Sequence, residues 1–474
     1  LTSADYANNL LKLARKYKGS NLGDQALYEA FVAFKSKKDP RAYKSGEQLI
    51  LQHSKSKYAQ AVVSDMGQMA LLTADFRRAS IYFELYNERY SNEPDARKYL
   101  VTAAKMRELM GDFKLAARNY RQLGDTTAAA RMDFLARDWA SLLRSAPRAS
   151  APYADYWEGL AQYRLRGIGP ARSNLSRSAK NTSTPEAKEM AAHALYLLAM
   201  DTLSNYKRIR MKAGKEAKAV QEKTAYLQAL EKDLTKVVQF GNGRWTIAGL
   251  YGLGQAYREF AIFIVKAPMP KGLNGAMKKQ YRAAIKKQAN TYKSKSIQYF
   301  KQCVSNAKKY DIFTNFVLGC LSSGKKQVSE EKEMKTFLQA SDKSPSNAAQ
   351  VRKQLYDNSR DLKLLSQLAE TYIRVREYSM AEAIMSRALE IAPNNAKVMA
   401  QLGAIKLYKN ELQEAGDWFK KSIKAQPGQP LASYGLAGLY RRFRFKKKYK
   451  KVLTQAKGKP EQSAFNHRII KRAH

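Results

Sequence analysis

The stretch LKLLSQLAETYIRVREYSMAEAIMSRALEIAP, residues 362–393, runs directly into NNAKVMAQLGAIKLYKNELQEAGDWFKKSIKAQP, residues 394–427, and reading the two together decides the fold. Shifted by 34 residues, their small, aromatic and proline positions coincide. With Leu362 as position one, Leu365, Leu368, Ala369 and Tyr372 predict a first helix, Ala381, Met385 and Ala388 a second, and Pro393 its end. The next unit supplies Met399, Leu402 and Gly403, then Ala415, Phe419 and Ser422, then Pro427. A third supplies Leu436, Ala437 and Tyr440, then Leu453 and Ala456, with Pro460 one place early. Small residues at positions eight and twenty let two helices approach closely, and the aromatic at position twenty-four fills the gap beside them. Proline stops the second helix because it lacks an N–H and clashes with the preceding turn.

This pattern resembles the tetratricopeptide repeat family, W-x2-L-G-x2-Y on one helix and A-x3-F then Pro on the next. The resemblance implies an all-α fold, a tetratricopeptide-like α-solenoid: a right-handed superhelix of ten or so helix hairpins with a concave face lined by first helices. Weaker copies lie upstream. Ala74-Asp75-Phe76 with Ala79 and Phe83, and Gly111-Asp112-Phe113 with Ala116 and Tyr120, both read as the turn and second helix of a unit. Four segments follow: N-terminal repeats over 1–149, irregular helical repeats over 150–325, a charged joint over 326–347, and a C-terminal array over 348–474 with a basic end.

Composition agrees with helix. Gly and Pro together are 38 of 474 residues, too few for a turn-rich sandwich or barrel, and no run of 18 apolar residues predicts a membrane span. The formal charge is +44, from 85 basic and 41 acidic residues. Charge of that size points to anionic partners and is borne best by an elongated chain. The chain starts at Leu1 and not Met, which fits either a removed export signal or an arbitrarily chosen boundary.

Positions 2, 5, 9, 12 and 13 of each unit should face the groove. The basic and aromatic members among them are Lys363, Arg374, Lys397, Tyr408, Tyr434, Arg441 and Arg442, with Glu370 the one acid. Such a surface suits an acidic or extended protein segment, with Tyr as anchor and Arg as carboxylate clamp. The family's clamp for a terminal carboxylate needs Asn at position 9. Here that position is Glu370, Ala404 and Gly438, so the clamp is not carried over. Next to the groove, Arg444, Lys446, Lys447, Lys448, Lys450 and Lys451 alternate with Phe443, Phe445 and Tyr449. Basic residues interleaved with aromatics fit nucleic acid, an anionic membrane surface or a cell-wall polymer; they equally fit aromatics packed inward with lysines on the wet side. Two further basic stretches lie at 207–218 and 278–295.

Little in the sequence reads as catalysis. His53, His193, His467 and His474 lack partners at metal spacing, which predicts no metal site. Gly319-Cys320-Leu321-Ser322-Ser323-Gly324-Lys325-Lys326 imitates a phosphate-binding loop, but the closing hydroxyl is replaced by Lys326 and no strand precedes it. A helix end capped by Gly324 explains it better. No catalytic residue, cofactor or small-molecule substrate is expected. Cys303 and Cys320 lie about equally far from a turn near Asp311, on the two arms of a helix hairpin, and facing residues there come within disulfide reach. The alternatives are a disulfide in an oxidising compartment and two buried thiols in a reducing one.

Residues 240–325 carry a narrower set of features: Leu253-Gly254 with Tyr257, the continuation Phe260 and Phe263, the break Ala267-Pro268-Met269-Pro270, a Tyr-rich helix, and the two cysteines. This segment resembles the tetratricopeptide component of the gliding-motility machinery of predatory and gliding deltaproteobacteria. The resemblance implies a periplasmic or outer-membrane-associated scaffold, with a cytoplasmic placement as the alternative. The expected function is a non-catalytic protein-interaction scaffold in a bacterial envelope complex, and its rival is a nucleic-acid-binding repeat protein using the basic C-terminal stretch.

Overall fold

A computed structural model describes residues 3–212, 214–270, 272–328, 345–460, 463 and 465. Among these residues there are 23 α-helices and no strand, so the chain is all-α. Residues 329–344, the greater part of the charged joint expected at 326–347, lie outside the described residues, as do His467 and His474. No described helix is long and apolar enough to cross a membrane.

In chain order the helices begin with Ser3–Lys16 (α1), Asn21–Ser36 (α2), Arg41–Gln52 (α3), Ala59–Leu72 (α4), Phe76–Arg89 (α5), Ala96–Met110 (α6), Phe113–Gln122 (α7) and Thr126–Ala136 (α8). Next come Trp139–Ser145 (α9), Tyr153–Arg166 (α10), Ile168–Ser178 (α11), Pro185–Arg208 (α12), Glu216–Gln239 (α13), Gly243–Val265 (α14), Gly275–Tyr310 (α15) and Asn315–Leu321 (α16). The C-terminal helices are Ala348–Asp357 (α17), Leu362–Arg374 (α18), Tyr378–Ile391 (α19), Ala396–Tyr408 (α20), Leu412–Ala425 (α21), Pro430–Arg442 (α22) and Lys446–Thr454 (α23).

The hairpins share one closing device. Arg376, Asn410 and Arg444, spaced by the repeat, each take a left-handed φ, of 67°, 61° and 59°. The residue after each sends its N–H back five positions: Glu377 to Tyr372 (2.8 Å), Glu411 to Lys406 (2.9 Å) and Phe445 to Tyr440 (2.8 Å). This bond satisfies a carbonyl that the helix end would otherwise orphan. Ala74 and Gly111 do the same in the N-terminal hairpins, through Asp75 to Ala70 and Asp112 to Arg107, both 2.8 Å. The turn and second-helix copies read around Ala74 and Gly111 are therefore the same structural joint.

Packing inside a hairpin follows the small-against-aromatic rule. A Cβ on Gly403 would lie 2.6 Å from the Phe419 ring, and one on Gly67 would lie 2.5 Å from Phe83. Neither phenylalanine is more than 1% exposed. Glycine is required at both positions because the ring occupies the space of a side chain.

The helices group into two compact units that do not follow sequence order. The first comprises residues 1–136, 336–438 and 450–474, the second 137–335 and 439–449. In the first unit α4 packs against α17 and α6 against α19, joining N-terminal and C-terminal repeats. Buried charge here is paired. Lys406 and Lys409 at the end of α20 hold Glu382 of α19 at 2.6 Å each, and Lys406 also holds Glu411 at 2.6 Å. Burial opposes ionisation of Glu382, but the two ammonium groups outweigh it and hold its carboxyl below the ordinary value of 4.5.

The second unit is built on longer helices, of 24, 24, 23 and 36 residues for α12 to α15. Its core includes His193 stacked on Trp245 at 4.1 Å, and Gly254, whose Cβ would meet the Phe300 ring at 2.5 Å. Cys303 of α15 and Cys320 of α16 are bonded, with S–S 2.03 Å and Cα–Cα 6.3 Å, on either side of a turn at Asp311. Lys223 is 1% exposed; its Nζ donates to the Tyr206 carbonyl at 2.9 Å and lies over the rings of Tyr206 and Phe263. Burial pulls its ammonium down to about 8, against the raising field of Glu259 and with Arg210 and Lys207 adding to the fall.

Candidate protein-binding face

In the first unit the expected groove positions on the first helices divide by exposure: Ile373 and Leu431 are buried. Lys363 on α18, Arg374 at its end and Lys397 on α20 are exposed, and Tyr408 and Tyr434 are half-buried. Arg374 makes only a loose pair with Glu370, at 3.9 Å. Arg441 and Arg442 are exposed too, but they belong to the second unit. Five of the seven expected groove residues therefore share one unit.

That face differs from an open groove at its centre. Ala400, Ala404 and Leu407 are buried, and the Tyr408 hydroxyl donates to the backbone carbonyl of Phe465 at 2.8 Å. Phe465 is fully buried, and Tyr408 also stacks on Tyr378 at 5.6 Å between ring centres. The backbone carbonyl of Phe465, from the chain's own C-terminal region, thus rests on the tyrosine read as an anchor. The sequence carries no spacing signal for this, because Phe465 lies beyond the last repeat.

The basic stretch resolves into two layers. Phe443 and Phe445 are buried and pack with Tyr440 around Phe313, at ring distances of 5.4–6.2 Å. Arg444, Lys446, Lys447, Lys450 and Lys451 are exposed; Lys448 is half-buried and pairs with Asp311 at 2.7 Å. The two phenylalanines are core residues and cannot stack on bases; Tyr449, the third aromatic of this stretch, is half-buried. The imitation phosphate loop is a helix end: Gly324 takes φ 75°, its N–H bonds to the Gly319 carbonyl, and its own carbonyl accepts from Gln255 and Arg258.

A cavity of about 620 Å³ opens in the first unit, walled by Tyr43, Tyr356 and Tyr372. Arg78 lies over the Tyr43 ring at 4.9 Å, and Arg352 donates to the Tyr372 hydroxyl at 2.7 Å. Asp75 takes Arg352 at 3.3 Å and Arg78 at 3.9 Å, so one carboxylate of the cavity is shared by two guanidinium groups. Its walls come from residues some 300 positions apart, a juxtaposition no local motif announces.

No family model matches the chain, and no curated protein matches its sequence. Solved structures similar to it include the human IFIT1 dimer with m7Gppp-AAAA, at 11% identity over 89% of this chain and 94% of that one, with a TM-score of 0.25. A circular tandem repeat protein with novel repeat topology is 14% identical over 98% and 96% of the two chains, TM-score 0.21. The APC/C hetero-tetramer Cut9–Hcn1 gives 12% identity over 84% and 86%, TM-score 0.21. Scores of this size say nothing about role, and the repeat architecture rests on the chain's own helices.

Proposed function

We propose that the protein is a non-catalytic interaction scaffold that holds an extended, acidic segment of a protein partner on the first-helix face of its C-terminal array. One observation carries this reading: the face already seats a backbone carbonyl from outside the repeats, through the Tyr408 to Phe465 hydrogen bond. Exposed Lys363, Arg374 and Lys397 supply positive charge along the first helices α18 and α20, which suits carboxylates. We place the scaffold in an oxidising compartment of a bacterial envelope, periplasmic or outer-membrane-associated. The buried Cys303–Cys320 bridge and the resemblance of residues 240–325 to the gliding-motility component support that placement.

The test is affinity capture from the native cell followed by mass spectrometry, comparing the wild type with Lys397→Glu/Tyr434→Ala. Loss of a defined partner with the fold intact supports the face; an unchanged partner set rejects it. Compartment is tested separately by thiol titration of the denatured, non-reduced protein: no free thiol is expected, and two would reject the placement.

A further inference from the structure

Helices α12, α13, α14 and α15 alternate in direction. The C-terminal ends of α12 and α14 and the N-terminal ends of α13 and α15 therefore lie together at one end of the second unit. Lys223 fastens that end by touching Tyr206 on α12 and Phe263 on α14. The register of α14 against α15 is fixed by Ser296, whose hydroxyl donates to the Gly254 carbonyl at 2.7 Å, and by the Phe260–Tyr292 ring pair at 4.4 Å. Continued along the two helices, this register sets Val265, the last residue of α14, opposite roughly residue 286. The first dozen or so residues of α15 then overhang α14 by roughly 18 Å at about 1.5 Å per residue. The Tyr281 hydroxyl ties them to the Pro268 carbonyl at 3.2 Å. From 275 to 288 every residue is exposed except Tyr281 and Ile285, which are half-buried.

The overhang is strongly cationic and has an apolar edge. Lys278, Lys279, Arg282 and Lys286 fall within about 100° of the helix circumference, and no acidic residue occurs anywhere from 260 to 310. The α12–α13 connection at the same end adds Lys207, Arg208, Arg210, Lys212 and Lys215, against Glu216. Two basic stretches that are some seventy residues apart in sequence thus lie at the same end of the unit. Val265 is 60% exposed and Met277 47% exposed, Met277 at least about 100° round α15 from the four cations of that helix, as on an amphipathic helix; Met211, Met269 and Leu273 are half-exposed. A nucleic acid would use the charge but has no use for aliphatic side chains at helix ends. A lipid surface uses both, since headgroup phosphates take the lysines and the acyl boundary takes methionine and valine.

We propose that this end of the second unit docks on an anionic phospholipid surface, with the α15 overhang lying on the headgroups and Met277 and Val265 entering below them. The experiment is vesicle co-sedimentation of the full chain, using phosphatidylcholine vesicles with and without 30% phosphatidylglycerol at low and high salt. Binding is expected only with the anionic lipid, falling as salt rises. Lys278→Glu/Lys279→Glu/Arg282→Glu should lower the partition coefficient at least ~100-fold. Val265→Ser/Met277→Ser should lower it roughly tenfold, and both variants should keep the wild-type thermal unfolding curve. Equal binding to neutral vesicles, or no loss in the charge variant, overturns the proposal. So does failure to bind vesicles when a single-stranded oligonucleotide binds through the same lysines.

Discussion

In α20–α21 the glycine and phenylalanine that meet across the hairpin, Gly403 and Phe419, are sixteen residues apart; in α14–α15 the corresponding pair, Gly254 and Phe300, is forty-six apart. The contact is the same in kind, a ring seated on a bare backbone at 2.5–2.6 Å from where a Cβ would be. What differs is the length of helix beyond it. The second unit is therefore built on the same joint as the regular array, with the tip of one hairpin drawn out. The two regions also treat buried charge differently. Glu382 in the first is surrounded by ammonium groups, whereas Lys223 in the second is held by a carbonyl and two rings.

If the two hairpins share a joint, removing its ring should cost alike in both. Phe419→Ala and Phe300→Ala should each destabilise by about 4 kcal/mol, read from urea unfolding, with hydrogen exchange assigning the loss to α20–α21 or α14–α15. A cost below about 1 kcal/mol at Phe300 would separate the two regions again. Next in size is the covalent tie that fastens the long helix α15 to α16. Cys303→Ser/Cys320→Ser should cost about 3 kcal/mol, from a loop of 17 residues, with protection lost in α15 and α16 while α18–α21 keep theirs.

The charge contrast gives opposite responses to pH. Glu382 is depressed in the folded state, so its contribution is complete above the ordinary glutamate range and is lost as pH falls through the folded value. Acid unfolding should weaken α19–α21, and Glu382→Gln should flatten that acid limb. Lys223 is shifted from 10.5 to about 8, so the unfolded chain binds the extra proton between those values and stability rises with pH across that window. Lys223→Met should raise stability at pH 7 by about 2 kcal/mol and abolish the alkaline rise, as followed by thermal melts. The smallest effect belongs to the shared turn: Arg444→Gly, which relieves a left-handed φ, should stabilise by roughly 0.5–1 kcal/mol in the same melts.

The regular array was legible because short hairpins keep Ala369, Gly403, Phe419 and the prolines at fixed intervals, so periodicity reports the packing directly. Cys303 and Cys320 were legible as a facing pair because the Asp311 turn lies between them. The middle region was not legible as the same joint: Gly254 stood out, but its partner Phe300 lies thirty residues beyond the distance the repeat teaches one to search. Phe465 on Tyr408, and Asp75 against Arg352, were invisible for a related reason. Contacts between segments hundreds of residues apart, or beyond the last repeat, leave no periodic trace. Lys363, Arg374 and Lys397, read as groove residues, are exposed, while the assignment of Arg441 and Arg442 to the other unit had no counterpart in the pattern.

The drawn-out hairpin also says where this architecture tolerates growth. A joint fixed at its base by a ring on a glycine leaves the distal turns outside the close-packed interior, where added chain costs only the slow logarithm of loop closure, about 0.6 kcal/mol per doubling. Insertions at the α14–α15 tip, a fluorophore, an epitope or a second domain, should therefore be accommodated where the same insertion between Gly403 and Phe419 would not.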